Sequence, residues 1–173
     1  NATLQAEVEK TDEPDLKHAL EWSVAVNEAI AEMVQGVPPF PNVRESLEKL
    51  KGTADMIVCS ATPTEALETE WSEHNISQFV FAICGQEAGS KQETLGQAAS
   101  QGYAENHVLM IGDAPGDQKA AKANNALFFP ILPGEEEASW ERLLTEGIDR
   151  FFNGSFAGEY EESLTESFLA RLP

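Results

Sequence analysis

The chain has 173 residues, of which 30 are acidic and 11 are basic, so its formal net charge is −19. This length fits one domain of ~100–200 residues with a small appendage. A hydrophobic content of 42% is enough for a core and argues against a disordered chain. The acidity argues against nucleic acid and membranes as partners, because both attract basic side chains. No apolar run approaches the ~18 residues that a membrane span requires.

The two cysteines, Cys59 and Cys84, both lie within apolar runs. Buried, reduced cysteines are typical of cytoplasmic proteins, whereas small secreted domains use their cysteines as a disulfide framework. The sequence therefore favours a cytoplasmic location.

The first part of the chain differs in pattern from the rest. Residues 1–13 are polar and lack a periodic apolar pattern. From Pro14 apolar residues recur every three or four positions, which predicts a helix that ends at Gly36. A proline-dense connector follows. We therefore expect a helical segment over 1–37 and a larger domain over 38–173.

The larger domain alternates short apolar runs with helical patterns. The predicted strands cover residues 55–60, 79–84, 107–112 and 126–131. The predicted helices cover residues 43–51, 64–74, 91–101, 117–124, 138–152 and 159–172. Continuous apolar strands separated by helices are typical of a parallel sheet covered on both faces. The pattern therefore predicts an α/β fold.

Polar residues that follow the predicted strands are the candidates for function, because ligands of open parallel sheets bind beyond the carboxyl ends of the strands. The candidates after the first three apolar runs are Ser60, Ala61, Lys91, Asp113 and Asp117. A hydroxyl and backbone N–H groups can hold a phosphate oxygen, and a lysine can neutralise phosphoryl charge. Carboxylates are ligands that Mg²⁺ prefers. Together these residue types indicate phosphoryl transfer with Mg²⁺.

Each candidate also has an ordinary structural interpretation. Asp113 and Asp117 fit the N-cap and first turn of the helix that follows, where carboxylates are favourable. Ser60 fits a helix cap, and Lys91 fits a solvated helix surface. The presence of all of them after successive strands favours the chemical role.

Segments 57–60, 89–91 and 108–117 resemble, in this order, the second, third and fourth motifs of the haloacid dehalogenase-like hydrolase superfamily. The most specific piece is the run from Gly112 to Asp117, with its Gly-Asp pair and second Asp. The resemblance covers about residues 36–132. It implies a Rossmann-like three-layer parallel sheet, preceded by a remnant of the helical cap.

The resemblance also implies roles for the candidates. Ser60 and Ala61 would bind the phosphoryl group of a small-molecule phosphate ester, and Lys91 would stabilise the phosphorylated nucleophile. Asp113 would bind Mg²⁺, and Asp117 would support the metal site directly or through water. The aspartate pair favours a Mg²⁺-dependent phosphatase over a metal-free dehalogenase.

The superfamily's first motif, Asp-x-Asp after the first strand, has no counterpart in this sequence. Its first aspartate is the nucleophile and its second is the general acid and base. We therefore expect the chain by itself to be inactive. The resemblance implies the sheet order 5-4-1-2-3, in which the first strand is central. A gap is thus expected between the strands that end at Ser60 and Gly112.

The chain begins with Asn1 instead of Met, which favours a fragment of a longer hydrolase. Its sheet would then close up by direct pairing of the two flanking strands, or a second copy would supply the strand by swapping. Two alternatives are a phosphomutase or dehalogenase of the same superfamily, and a non-catalytic α/β interaction module that has lost the nucleophile.

Overall fold

The computed structural model describes residues 2–11, 13–33 and 36–172. Two compact units divide between Pro38 and Pro39. Residues 34 and 35, which belong to the helix that the sequence predicts up to Gly36, lie outside the described residues.

The N-terminal unit contains two helices that contact each other, α1 (Ala2–Thr11) and α2 (Pro14–Met33). The helix α1 was not expected, because its segment lacks a periodic apolar stripe. Its residues are mostly Ala, Leu, Gln, Glu and Lys, which are strong helix formers, so propensity was the better signal here. None of the helices among the described residues combines the length and the apolar composition that a membrane span requires.

Four short strands are present among the described residues, and each lies inside a predicted run. They are β1 (Ile57–Cys59), β2 (Ala82–Cys84), β3 (Leu109–Gly112) and β4 (Leu127–Pro130). The strands β1 and β2 pair in parallel, with Cys59 opposite Cys84. The strands β3 and β4 also pair in parallel, with Gly112 opposite Pro130.

The helices of the second unit alternate with these strands, as the sequence predicts. They are α3 (Val43–Leu50), α4 (Thr64–Glu73), α5 (Lys91–Ala99), α6 (Pro115–Ala123), α7 (Glu136–Arg142), α8 (Ile148–Asn153) and α9 (Glu159–Leu169). A π-helical turn, Leu143–Gly147, joins α7 to α8. The second predicted strand, residues 79–84, is shorter in the structure. Phe79 is the last residue of a 3₁₀ turn, Ser77–Phe79, and β2 begins at Ala82.

The four strands do not form the single parallel sheet that the sequence predicts. Within the described residues they form two separate two-stranded sheets, so the expectation that β1 and β3 close up and pair directly is wrong. The helix α5 contacts β1, α6 contacts β3 and β4, and the two helices contact each other. The two sheets are therefore connected through their helices.

The core is centred on β4, which is buried along its whole length. Phe128 packs edge to face on Phe168 of α9, and Phe129 packs on Phe156 from the other side. Because side chains alternate along a strand, β4 has apolar partners on both faces. The strands β1 and β2 are only half-buried. Of the four strands described, β4 is thus the most deeply buried.

Candidate active site

Ser60 directly follows β1 and begins the loop that leads to α4. Its N–H donates to the carbonyl of Cys84 over 2.9 Å, which extends the pairing of the two strands by one residue. Its Oγ accepts the Thr62 N–H over 3.2 Å, and Ala61 between them is exposed. The N-cap of α4 is Pro63, which supplies no side-chain cap. Ser60 is therefore not the helix cap that its alternative interpretation required.

Lys91 is the first residue of α5, whose N-terminus is closed by a capping box. The Ser90 Oγ accepts the Glu93 N–H over 3.2 Å, and the Glu93 carboxylate accepts the Ser90 N–H over 2.9 Å. A positive charge at a helix N-terminus is unfavourable for the helix dipole. The ammonium is instead paired, because Lys91 Nζ lies 2.5 Å from the Oδ1 atom of Asp117.

Asp117 is a buried carboxylate in the first turn of α6, with 1% of its surface exposed. Its Oδ1 meets Lys91, and its Oδ2 accepts the N–H of Ala114, the N-cap residue, over 3.1 Å. Gly112 leaves the space that this carboxylate needs, since a Cβ there would lie 2.5 Å from the Cβ and Cγ of Asp117. The Gly112-to-Asp117 spacing thus has a packing reason as well as a chemical one.

Asp113 differs from Asp117 in its surroundings, although only four residues separate them. It lies just before the N-cap residue Ala114, so it is not the helix cap, and its side chain is exposed. No ion pair or side-chain hydrogen bond engages its carboxylate within the described residues. Of the two aspartates, Asp113 is the one that can accept a ligand without breaking an existing contact.

Cys59 and Cys84 lie side by side at the ends of β1 and β2 as free thiols. Burial, together with the neighbouring Cys84, raises the pKa of the Cys59 thiol to about 11. The charge of Lys91 lowers this pKa and the charge of Asp117 raises it. Cys59 is therefore a neutral thiol. The helix α5, which begins at Lys91, contacts β1.

The resemblance implies a magnesium ion at this edge. Residues 2–11, 13–33 and 36–172 contain no group of three or more His, Cys, Asp or Glu side chains that could hold a metal. Magnesium ions in proteins keep several waters and take one or two carboxylates. Asp113 fits such a ligand, whereas both oxygens of Asp117 are engaged and fit a contact through water.

Sequence reasoning missed one residue of this region, Glu87, in the 3₁₀ turn Gln86–Ala88 that follows β2. Its Oε2 accepts both the N–H and the hydroxyl of Thr64, at 3.0 and 2.7 Å. Only the fold brings these residues together, because they are 23 positions apart. No local pattern signals such a contact.

The comparison with protein-family models agrees with the resemblance. A family model described as haloacid dehalogenase-like hydrolase matches residues 1–130, about three quarters of the chain. A search of curated proteins found no match. A solved HAD-superfamily hydrolase of subfamily IA, variant 1, from Geobacter sulfurreducens is similar, with 18% identity and a TM-score of 0.46. That match covers 53% of this chain and 49% of the solved chain, so about half the length of that hydrolase is matched. By the match of the family model, the chain belongs to the haloacid dehalogenase-like hydrolases.

Proposed function

We propose that this chain is part of a Mg²⁺-dependent phosphatase that hydrolyses small phosphate monoesters through an aspartyl-phosphate. The observation that carries the proposal is the contact of 2.5 Å between Lys91 Nζ and Asp117 Oδ1, at the edge where Asp113 is exposed. Lys91, held by the buried Asp117, could neutralise the charge of a phosphate group. The exposed Asp113 could bind the metal ion that accompanies this phosphate. The N-terminal unit would be a remnant of the substrate-selecting cap.

In this proposal the phosphoryl group binds between the Ser60 loop and Lys91. The Ser60 hydroxyl accepts from Thr62 but keeps its own hydrogen, so it can donate to a phosphoryl oxygen. The exposed Ala61 offers its backbone N–H. An ammonium has three N–H donors, and the contact with Asp117 uses one of them. The others can stabilise the negative charge of the phosphorylated nucleophile.

The metal would be held by Asp113, with Asp117 supporting it through water and through the position of Lys91. When bound, Mg²⁺ supplies Lewis-acid polarisation of a phosphoryl oxygen. Asp117 also positions the ammonium of Lys91, since its Oδ1 lies 2.5 Å from Lys91 Nζ.

The nucleophile would come from a strand outside these 173 residues, and the chain by itself would be inactive. Two observations support this. The sequence has no apolar strand that ends in Asp-x-Asp, and among the described residues β1 and β3 each pair on one side only. The strand with the nucleophile would be supplied by an N-terminal segment of a longer protein. A second, strand-swapped copy would fill the gap in the sheet, but it would bring no Asp-x-Asp motif. A cytoplasmic location, with both cysteines reduced, is part of the same proposal.

The phosphate site is tested by titrating the ¹⁵N-labelled chain with inorganic phosphate in the presence and absence of MgCl₂. We expect the amide signals of Ser60, Ala61 and Lys91 to shift, with tighter binding when Mg²⁺ is present. Asp113→Asn should remove the Mg²⁺ dependence, and Glu137→Gln, which removes an exposed acid from α7, should not. Shifts that are absent or lie elsewhere would contradict the proposed site.

The source of the nucleophile is tested by activity and mass. The chain with an aryl phosphate and MgCl₂ should show background hydrolysis only, and clear turnover would contradict the absence of the nucleophile. Sedimentation of the 18.9 kDa chain tests strand swapping separately. An inactive dimer would favour a second copy that fills the gap in the sheet, and an inactive monomer would favour a strand from a longer protein.

A further inference from the structure

The loops that follow β1 and β2 are joined by several hydrogen bonds. The Gln86 N–H donates to the carbonyl of Thr62 over 3.0 Å, and the Gly85 N–H donates to Thr64 Oγ1 over 3.2 Å. The Thr64 N–H and hydroxyl both donate to Glu87 Oε2. The loop of Ser60 and Ala61 is therefore held from the β2 side.

The closeness of the two loops leaves no room for a side chain between them. A Cβ on the buried Gly85 would lie 2.5 Å from the Thr64 nitrogen and 2.6 Å from the Thr62 oxygen. These are backbone atoms that cannot rotate away, so Gly85 is required for the approach. The two loops therefore approach each other most closely at Gly85. The hydrogen bonds from Thr64 to the Glu87 carboxylate add a second connection between them.

Glu87 performs the capping function that the sequence next to α4 lacks. The N-cap Pro63 has no side-chain acceptor, so the first N–H groups of α4 have no local side-chain partner. The Glu87 carboxylate reaches across and accepts one of them, where a negative charge is also favourable for the helix dipole. These hydrogen bonds from Thr64 lower the pKa of Glu87 to about 2, so it is ionised at neutral pH.

We propose that Glu87 is a positioning residue for the phosphate site: it holds the start of α4 and thereby keeps the Ser60–Ala61 loop in its binding geometry. The proposal rests on the proposed function, because it assigns Glu87 to the same phosphate site. It adds a residue that touches neither the phosphate nor the metal. Glu87 acts through Thr64, which lies four positions after Ser60.

Two variants separate positioning from charge. Glu87→Ala removes the acceptor, whereas Glu87→Gln keeps an oxygen that can accept from Thr64 but removes the charge. We expect Glu87→Ala to weaken the binding of inorganic phosphate with MgCl₂ by about tenfold, which corresponds to about 1.4 kcal/mol. Glu87→Gln should bind phosphate as the unmodified chain does. A role in stability alone would leave the phosphate affinity of folded Glu87→Ala unchanged.

A matched control is Glu136→Ala, because the Glu136 carboxylate also accepts a backbone N–H, that of Gly134, over 2.9 Å. This contact lies within one turn and joins no loops. It should leave phosphate affinity unchanged. Hydrogen exchange gives a second readout, since loss of the cap should speed exchange of the Thr64 and Gln86 amides by about tenfold in Glu87→Ala.

The outcomes distinguish the two proposals. If the unmodified chain binds phosphate at Ser60 and Glu87→Ala binds it equally well, the positioning role is overturned and the proposed function stands. If the unmodified chain does not bind phosphate, the proposed site is overturned, and the exchange of Thr64 alone decides whether Glu87 holds the loop. Unchanged exchange in Glu87→Ala overturns the positioning role in either case.

Discussion

Replacing Lys91 with methionine removes the cation that faces the buried Asp117 carboxylate. Removing one partner of a fully buried ion pair lowers the free energy of unfolding by about 3–5 kcal/mol. The lysine end of this pair is 29% exposed and the aspartate end is 2% exposed, so water reaches the pair from one side and reduces the cost. Removing a positive charge from a helix N-terminus also stabilises the helix by about 0.3–1 kcal/mol, which offsets part of this loss. We therefore expect Lys91→Met to lower the free energy of unfolding by about 2–3 kcal/mol.

Urea unfolding, followed by circular dichroism and by tryptophan fluorescence, measures this change, and coincident transitions support a two-state treatment. The matched control is Lys119→Met, which removes an exposed lysine of α6 and should change the free energy of unfolding by less than about 0.5 kcal/mol. The double variant Lys91→Met with Asp117→Asn should be about 1–3 kcal/mol more stable than the sum of the single effects predicts.

The reasoning would be refuted by a Lys91→Met chain as stable as the unmodified one. That result would mean that water or another group satisfies the carboxylate without the lysine. Additive single effects in the double variant would also refute it, because they would show that the contact of 2.5 Å carries no coupling free energy.

Three further predictions concern packing and pH. Gly112→Ala should lower the free energy of unfolding by about 1–3 kcal/mol, because the new Cβ would clash with the buried Asp117. Gly116→Ala has open space around the new Cβ and should be neutral or slightly stabilising in the same urea assay. Phe168→Ala should cost about 3–5 kcal/mol and the half-exposed Leu169→Ala far less, measured in the same way. The pKa of Glu87 is lowered from 4.5 to about 2, so its contribution to stability is present above pH 4.5 and is lost as the pH falls towards 2. Stability measured against pH should therefore fall less steeply in this window for Glu87→Gln, and parallel curves would contradict the lowered pKa.

The elements themselves were predictable from the sequence, because their signals are local. The apolar runs at 57–59, 82–84, 109–112 and 127–130 all became strands, and the helices between them begin close to the predicted positions. The position of Lys91 and Asp113 after successive strands followed from chain order alone. The one helix that was missed, α1, has helix formers without an apolar face, so a method based on periodicity cannot detect it.

The difference between the two aspartates was decided by tertiary structure. In the sequence both follow the same strand, and both fit either a cap or a metal ligand. In the fold, Asp117 is enclosed because Gly112 leaves space for it and Lys91 arrives from another helix. Asp113 lies one residue before the N-cap of α6, and its side chain is exposed to solvent. Burial and pairing of this kind depend on residues that are distant in sequence.

Local sequence signals located the four strands to within a few residues and the helices of the second unit, but not α1. The resemblance to three motifs of the family was likewise visible in the sequence. The pairing of the strands into two separate sheets and the capping of α4 by Glu87 from the next loop were visible in the folded structure alone, because both join residues that are distant in sequence. The physical reason is the range of the interactions: propensity and periodicity act over a few residues, whereas strand pairing and burial join segments that only the folded chain brings together.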